Sequence, residues 1–155
     1  MSIDQGLKTI LRAFFLLNAI GWIPTIFSYG SIGIGEVIPL LFQKGNLPTF
    51  LWYGAHAVIG LILVFSWLCA LSFKTWAYKF LLISYAGGQI AYSLLYYGPF
   101  QSYHFGSTLI RLAPQMSPGN TAINAGTFLL KTVVVLFLLS RPSVKVQFQR
   151  NTGAP

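Results

Sequence analysis

The stretch TAINAGTFLLKTVVVLFLLS, Thr121 to Ser140, decides the fold. A helix that crosses hydrocarbon takes about 20 mostly apolar residues, and this run meets that length with Lys131 near its middle. The only acids in the chain are Asp4 and Glu36. A lysine at the centre of a membrane helix costs about 2.5 to 3.5 kcal/mol on insertion scales, so its surroundings must accommodate it. Three arrangements would do so, taken in this order. The stem can snorkel outward past Asn124 to the interface. A ligand or partner can bring a counter-charge. Desolvation can leave a neutral amine.

The rest of the composition agrees with a membrane reading. Of 155 residues, 55% are hydrophobic and 8% charged, against about 25% charged in soluble domains. Ten Lys and Arg with two Asp and Glu cannot coat a soluble fold of this size. The expected fold class is all-α: a single integral membrane four-helix bundle with spans at about 7–29, 49–73, 75–97 and 122–140. The runs are too long for barrel strands and do not alternate. IGIGEVIPLLF, Ile32 to Phe42, is too short to span and is expected as a short interfacial helix between the first two spans. SFKTW leaves room only for an antiparallel turn between spans two and three. Lys8 and Arg12 stand before the apolar run of the first span as in a signal peptide, but the run is too long for one and no cleavage pattern follows.

Basic residues set the orientation. Lys8, Arg12, Lys74, Lys79, Arg141, Lys145 and Arg150 fall on one side of the four-span layout, and Lys44 and Arg111 on the other. Both termini are therefore expected in the cytoplasm, in a bacterial-type plasma membrane. The outer connector from Gly98 to Asn120 is long enough for a lid, and STLIRLAPQM within it has the pattern of an amphipathic turn. RPSVKVQFQRNTGAP, residues 141–155, is short and polar and is expected as a flexible tail.

Residues three and four apart share a helix face. Counting back from Lys131 gives Thr127, Asn124 and Asn120. The third span gives Tyr85, Gln89, Tyr92 and Tyr96, with Gly88 and Ser93 beside them. The second gives Tyr53, His56 and Gly60, and the first Asn18, Trp22 and Thr25 with Gly21. Chain direction puts these groups in the outer half, whereas the inner half is nearly pure Leu, Val, Ile and Phe. Two readings stay open. Interhelical hydrogen bonds with small-residue packing account for the pattern at about 0.6 kcal/mol per contact. An outward-opening pocket for an amphipathic ligand accounts for it too, with Asn18, His56, Gln89, Tyr92, Asn124 and Lys131 as its candidate residues and Glu36, His104 and Arg111 at its outer rim.

Other chemistry finds little support. There are no paired carboxylates, nucleophile elbow, phosphate-binding loop or HExxH motif, so no catalytic residue is assigned. Cys69 is alone, which excludes an internal disulfide and a thiolate metal site. His56 and His104 make a poor haem pair, because one would come from a loop, and they are too few for zinc. No metal or cofactor is expected. Scattered single basic residues argue against nucleic acid.

TILRAFFLLNAIGW opens the first span, a long connector ends in LP, and HAVIGLILVFSWLCAL is followed by the basic turn KTWAYK. Over the first two-thirds of the chain this layout resembles the DoxX-like small four-span bacterial membrane proteins. The resemblance implies a compact membrane bundle, often accessory to a redox or other membrane complex. That family often has an acidic residue where this chain has His56, and no functional residue is carried across. The function expected first is a non-catalytic subunit or assembly factor, with a membrane-protein partner or a homo-oligomer in the lipid bilayer. The alternative is a binder or modifying enzyme for a quinone, sterol or lipid.

Overall fold

The computed structural model describes residues 3–32, 47–97, 102–105, 108–111 and 118–149, with side-chain environments over 5–29, 51–97 and 121–149. Five helices carry it: α1 (Ile3–Ile32), α2 (Leu47–Ala70), α3 (Thr75–Tyr96), α4 (Pro118–Leu139) and α5 (Pro142–Gln149). The shortest of the first four has 22 residues, about 33 Å at 1.5 Å per residue, which matches a hydrocarbon core of about 30 Å. Long helices form here because they satisfy every interior backbone group within the segment, as lipid requires.

Three helices are long and apolar enough to cross a membrane, over Gln5–Tyr29, Leu51–Ala70 and Thr121–Leu139. Their outward positions carry bare hydrocarbon: Ile10, Ile20 and Phe27 on α1, Leu61 and Phe65 on α2, and Leu129, Val133 and Phe137 on α4 are all exposed. Such surfaces in water would drive aggregation; in lipid they are the normal exterior. The protein is a membrane protein. Helix α3 falls outside that set because it carries Tyr, Gln, Ser and Gly, yet Tyr85 and Gln89 are buried and Ile83 and Ile90 face outward. Its polarity is turned inward.

Helix α1 packs along α2, α2 along α3 and α3 against α4, while α1 and α4 are not packed along each other. Two glycines set the spacing. A Cβ on Gly60 would come within 2.8 Å of Ile26 Cγ1, and one on Gly88 within 3.0 Å of Leu63 Cδ2. Their absence of side chain lets α2 approach α1 on one side and α3 on the other.

The core lies at the end that carries the α2–α3 turn. Phe15, Leu63, Trp67, Leu81, Tyr85, Leu139 and Phe148 are almost fully buried there. Phe15 meets Trp67, Phe73 and Phe148 with ring centroids 5.8, 5.9 and 6.0 Å apart, within the range of favourable aromatic pairing. Lys8 and Arg12 lie over the Phe73 ring at 5.9 and 5.7 Å, so the basic end of the molecule is tied to its aromatic core.

Two expectations change. The tail does not trail off at residue 141: Pro142–Gln149 is helix α5, and its Val144, Gln147 and Phe148 are buried. Phe148 packs at a tilt against Tyr78, ring centroids 5.0 Å apart, and its carbonyl accepts a 3.0 Å bond from Thr75 Oγ1. Eight residues make a poor isolated helix; the pocket formed by Phe15, Phe73 and Tyr78 supplies the missing stability. Between α3 and α4, Ser102–Phe105 (β1) and Thr108–Arg111 (β2) pair as an antiparallel hairpin, with Ser102 opposite Arg111 and His104 opposite Leu109. The amphipathic turn expected over STLIRLAPQM is therefore extended at its start. The interfacial helix expected over 32–42, Glu36 included, and the last residues of the tail lie outside the described residues.

Candidate functional site

The unpaired side of the bundle, between α1 and α4, opens into a cleft of about 600 Å³ whose back wall is α3. Each wall is one helical face read at steps of three and four. From α1 come Phe14, Asn18, Gly21, Trp22 and Thr25. Helix α3 contributes Gln89, Tyr92 and Tyr96 with Tyr97 just past its end, and α4 contributes Asn124, Phe128, Lys131 and Val135. Five of the six candidate pocket residues thus meet in one cavity: Asn18, Gln89, Tyr92, Asn124 and Lys131.

Their local bonding differs. Asn18 Nδ2 donates 2.8 Å to the Phe14 carbonyl one turn back, which leaves its amide oxygen as the group presented to the cleft. Gln89 is 4% exposed and its Oε1 accepts a 3.4 Å bond from Thr132 Oγ1, which also bonds the Phe128 carbonyl at 2.9 Å. That pair locks α3 to α4 beside the cleft. Asn124 and Lys131 stand exposed on the α4 wall, seven residues apart, or about 10 Å along the axis. Among the described residues, Lys131 has no ion-pair partner.

The aromatic members shape the other end. Trp22 meets Tyr92 edge-on at 5.6 Å, and Tyr92 stacks on Tyr96 at 5.7 Å and on Phe128 at 5.4 Å. Tyr92 also shares a side-chain hydrogen bond with Tyr29. The cleft is therefore walled by flat rings with hydroxyl tips, a surface that takes apolar matter and offers a few polar contacts.

His56 stands apart. It does not line the cleft but lies behind it, fully buried. Its ring is stacked on Tyr29 at 4.4 Å, tilted against Trp52 at 4.0 Å and edge-on to Tyr92 at 5.2 Å. Nδ1 donates to the Trp52 carbonyl at 2.8 Å, and Nε2 has no partner among the described residues. Trp52 in turn donates from Nε1 to the Leu95 carbonyl at 3.1 Å, fastening α2 to α3. The stripe containing His56 was expected to face a pocket; the close approach at Gly60 instead presses it against α1. Of the rim candidates, His104 lies in β1 and Arg111 in β2, and Glu36 is outside the described residues.

Phe128, Tyr97 and Phe14 were missing from the sequence-derived set. Phe128 was legible in principle: Asn124, Phe128, Lys131 and Val135 follow the four-three-four spacing of one helix face, whereas Thr127, reached by the same spacing counted back from Lys131, is exposed and outside the cleft. Both rows pass through Asn124 and Lys131, and spacing alone does not choose between them. A scan of protein-family models and searches of curated proteins and of solved structures find nothing that matches this chain.

Proposed function

We propose that the protein binds an amphipathic, lipophilic small molecule of the quinone, sterol or lipid class in the α1–α3–α4 cleft. The observation that carries this reading is the convergence of Asn18, Gln89, Tyr92, Asn124 and Lys131 on a cavity otherwise lined mainly by aromatic and aliphatic side chains. Inert packing would spread such groups over separate contacts; here they share one space. At about 600 Å³ the cleft is within the usual range of ligand sites. The groups present bind and orient, and no carboxylate or imidazole stands among them to activate a hydroxyl or amine, so binding comes before any catalytic role.

In this reading the chain crosses the membrane four times. Helix α3 lies between α2 and α4, both long and apolar enough to span, and its buried Tyr85 and Gln89 explain its lower hydropathy. The basic bias of the α1 start, the α2–α3 turn and α5 supports cytoplasmic termini in a bacterial-type plasma membrane.

A second reading is favoured by the same unpaired side. A helix from a membrane-protein partner or a second copy would fill the opening between α1 and α4. The chain would then serve as an accessory or assembly subunit, the role implied by the DoxX-like resemblance.

Gly21→Leu separates these from an inert bundle. A Cβ at Gly21 meets nothing within 4 Å and enters the cleft, and leaving Gly raises helix propensity by close to 1 kcal/mol. Purified in mild detergent, the original chain should carry an enriched amphiphile in mass spectra of its organic extract, and Gly21→Leu should lose it. Identical extracts with no enriched species would contradict ligand binding; recovery of a crosslinked protein in place of a small molecule would favour the second reading.

A further inference from the structure

We infer that the molecule held in the cleft is an acid: an anionic headgroup on a hydrocarbon tail, paired with the Lys131 ammonium. This rests on the reading of the cleft as an amphiphile site and adds the charge of its occupant. Lys131 lies ten residues into the span Thr121–Leu139, about 15 Å from its start. The extended lysine stem reaches about 6 Å, so snorkelling stops well inside the hydrocarbon. The amine ends in the cleft.

No carboxylate of the described helices answers it. Asp4 precedes Asn18, which shares the cleft with Lys131, by fourteen residues of α1, about 21 Å along the helix. The polar groups that share the cleft with the amine are amides and phenols: Asn18 presents an acceptor, the others can donate to an anion, and none can neutralise a cation. Asn124 and Gln89 flank the position, and Tyr92, Tyr96 and Tyr97 offer hydroxyls toward the other end. A bound carboxylate or phosphate would supply the missing charge and accept from these donors. The tail has an exit, because α1 and α4 are not packed along each other and Leu17 on the α1 lip is exposed. An acidic lipid could therefore enter sideways from the bilayer, with its head drawn in and its chain left among neighbouring lipids.

Trp22 in the cleft wall provides the readout. Quenching of tryptophan fluorescence by brominated oleic acid, brominated phosphatidic acid and brominated oleyl alcohol would be titrated against the detergent-solubilised chain, Lys131→Met, Lys131→Arg and Gly21→Leu. The expected result is that at least one acid binds ten-fold or more tighter than the alcohol. Lys131→Met should abolish that preference while keeping the weaker alcohol binding, and Lys131→Arg should retain it. Lys131→Met removes a charge from the middle of a membrane helix, so loss of fold is not its expected effect. Tighter binding of oleic acid would assign the source to fatty acids, and of phosphatidic acid to phospholipids; either supports the inference. Equal quenching by acids and alcohol, unchanged in Lys131→Met but lost in Gly21→Leu, would overturn the anion and leave the cleft reading standing. Absence of saturable quenching by all three would overturn both.

Discussion

Phe73 shows at the scale of one residue how this chain trades backbone comfort for packing. Its φ is 50°, the one positive value on a residue other than glycine among the described residues, and left-handed backbone costs about 1 to 2 kcal/mol with a side chain present. The position ends the α2–α3 turn, with the Phe73 amide bonded to the Ala70 carbonyl at 3.0 Å. The ring that glycine would lack is 2% exposed and meets Phe148 at 5.3 Å. Removing it should destabilise, and the backbone decides the order of the variants: Phe73→Gly should be more stable than Phe73→Ala by about 1 kcal/mol, read by thermal unfolding in detergent. The reverse order would deny the left-handed turn. His56 offers a second test. Among the described residues its Nε2 is buried without a partner, and its ring is surrounded by aromatics, so His56→Phe should stay within about 1 kcal/mol of the original stability. It should also leave amphiphile retention unchanged, because His56 is behind the cleft wall. A loss of retention with stability intact would put the imidazole in the site.

Among the elements, α5 was the least legible. PSVKVQFQ has few apolar residues, and a polar, flexible reading followed from composition. The signs of a short helix were present nonetheless: a proline suited to the first turn, and Val144 and Phe148 four apart on one face. What could not be read locally was the cavity between Phe15, Phe73 and Tyr78 that receives Phe148, since it is built from α1, the turn and α3. Phe148→Ala should lower stability by about 3 kcal/mol, the lower end for a buried Phe, and speed tryptic cleavage after Lys145, whose side chain is already exposed, by freeing the helix backbone. Unchanged proteolysis would mean that α5 is held by something else. The spanning helices were legible because their length and hydropathy are properties of the local sequence. Their spacing was less so: Gly60 reads as a small residue anywhere, and only the position of Ile26 shows that Gly60→Ala would require the Ile26 side chain or its helix to shift. Overpacking of that kind costs about 1 to 3 kcal/mol.

For the whole molecule, periodicity and chain direction were enough to group Asn18, Gln89, Tyr92, Asn124 and Lys131, which line one cleft. They could not tell that the α1–α4 side is left open, because that depends on which helix pairs meet. The proposed four-crossing layout makes its own prediction. On a Cys69→Ala background, Ser72→Cys in the α2–α3 turn and Ser143→Cys at the start of α5 should react with an impermeant thiol reagent only from the cytoplasmic face. Labelling of either from outside would reverse the orientation. The central claim is that the cleft, and not the apolar exterior at large, is where an amphiphile resides. Photo-crosslinking tests it most directly: an oleic acid carrying a diazirine on its chain is activated in the purified protein, and the labelled peptides are mapped. The account predicts label concentrated at Leu17, Gly21 and Phe128, suppressed by Gly21→Leu and by excess unlabelled oleic acid. Label spread evenly over exposed positions such as Ile83, Leu61 and Phe137, and insensitive to both, would contradict it.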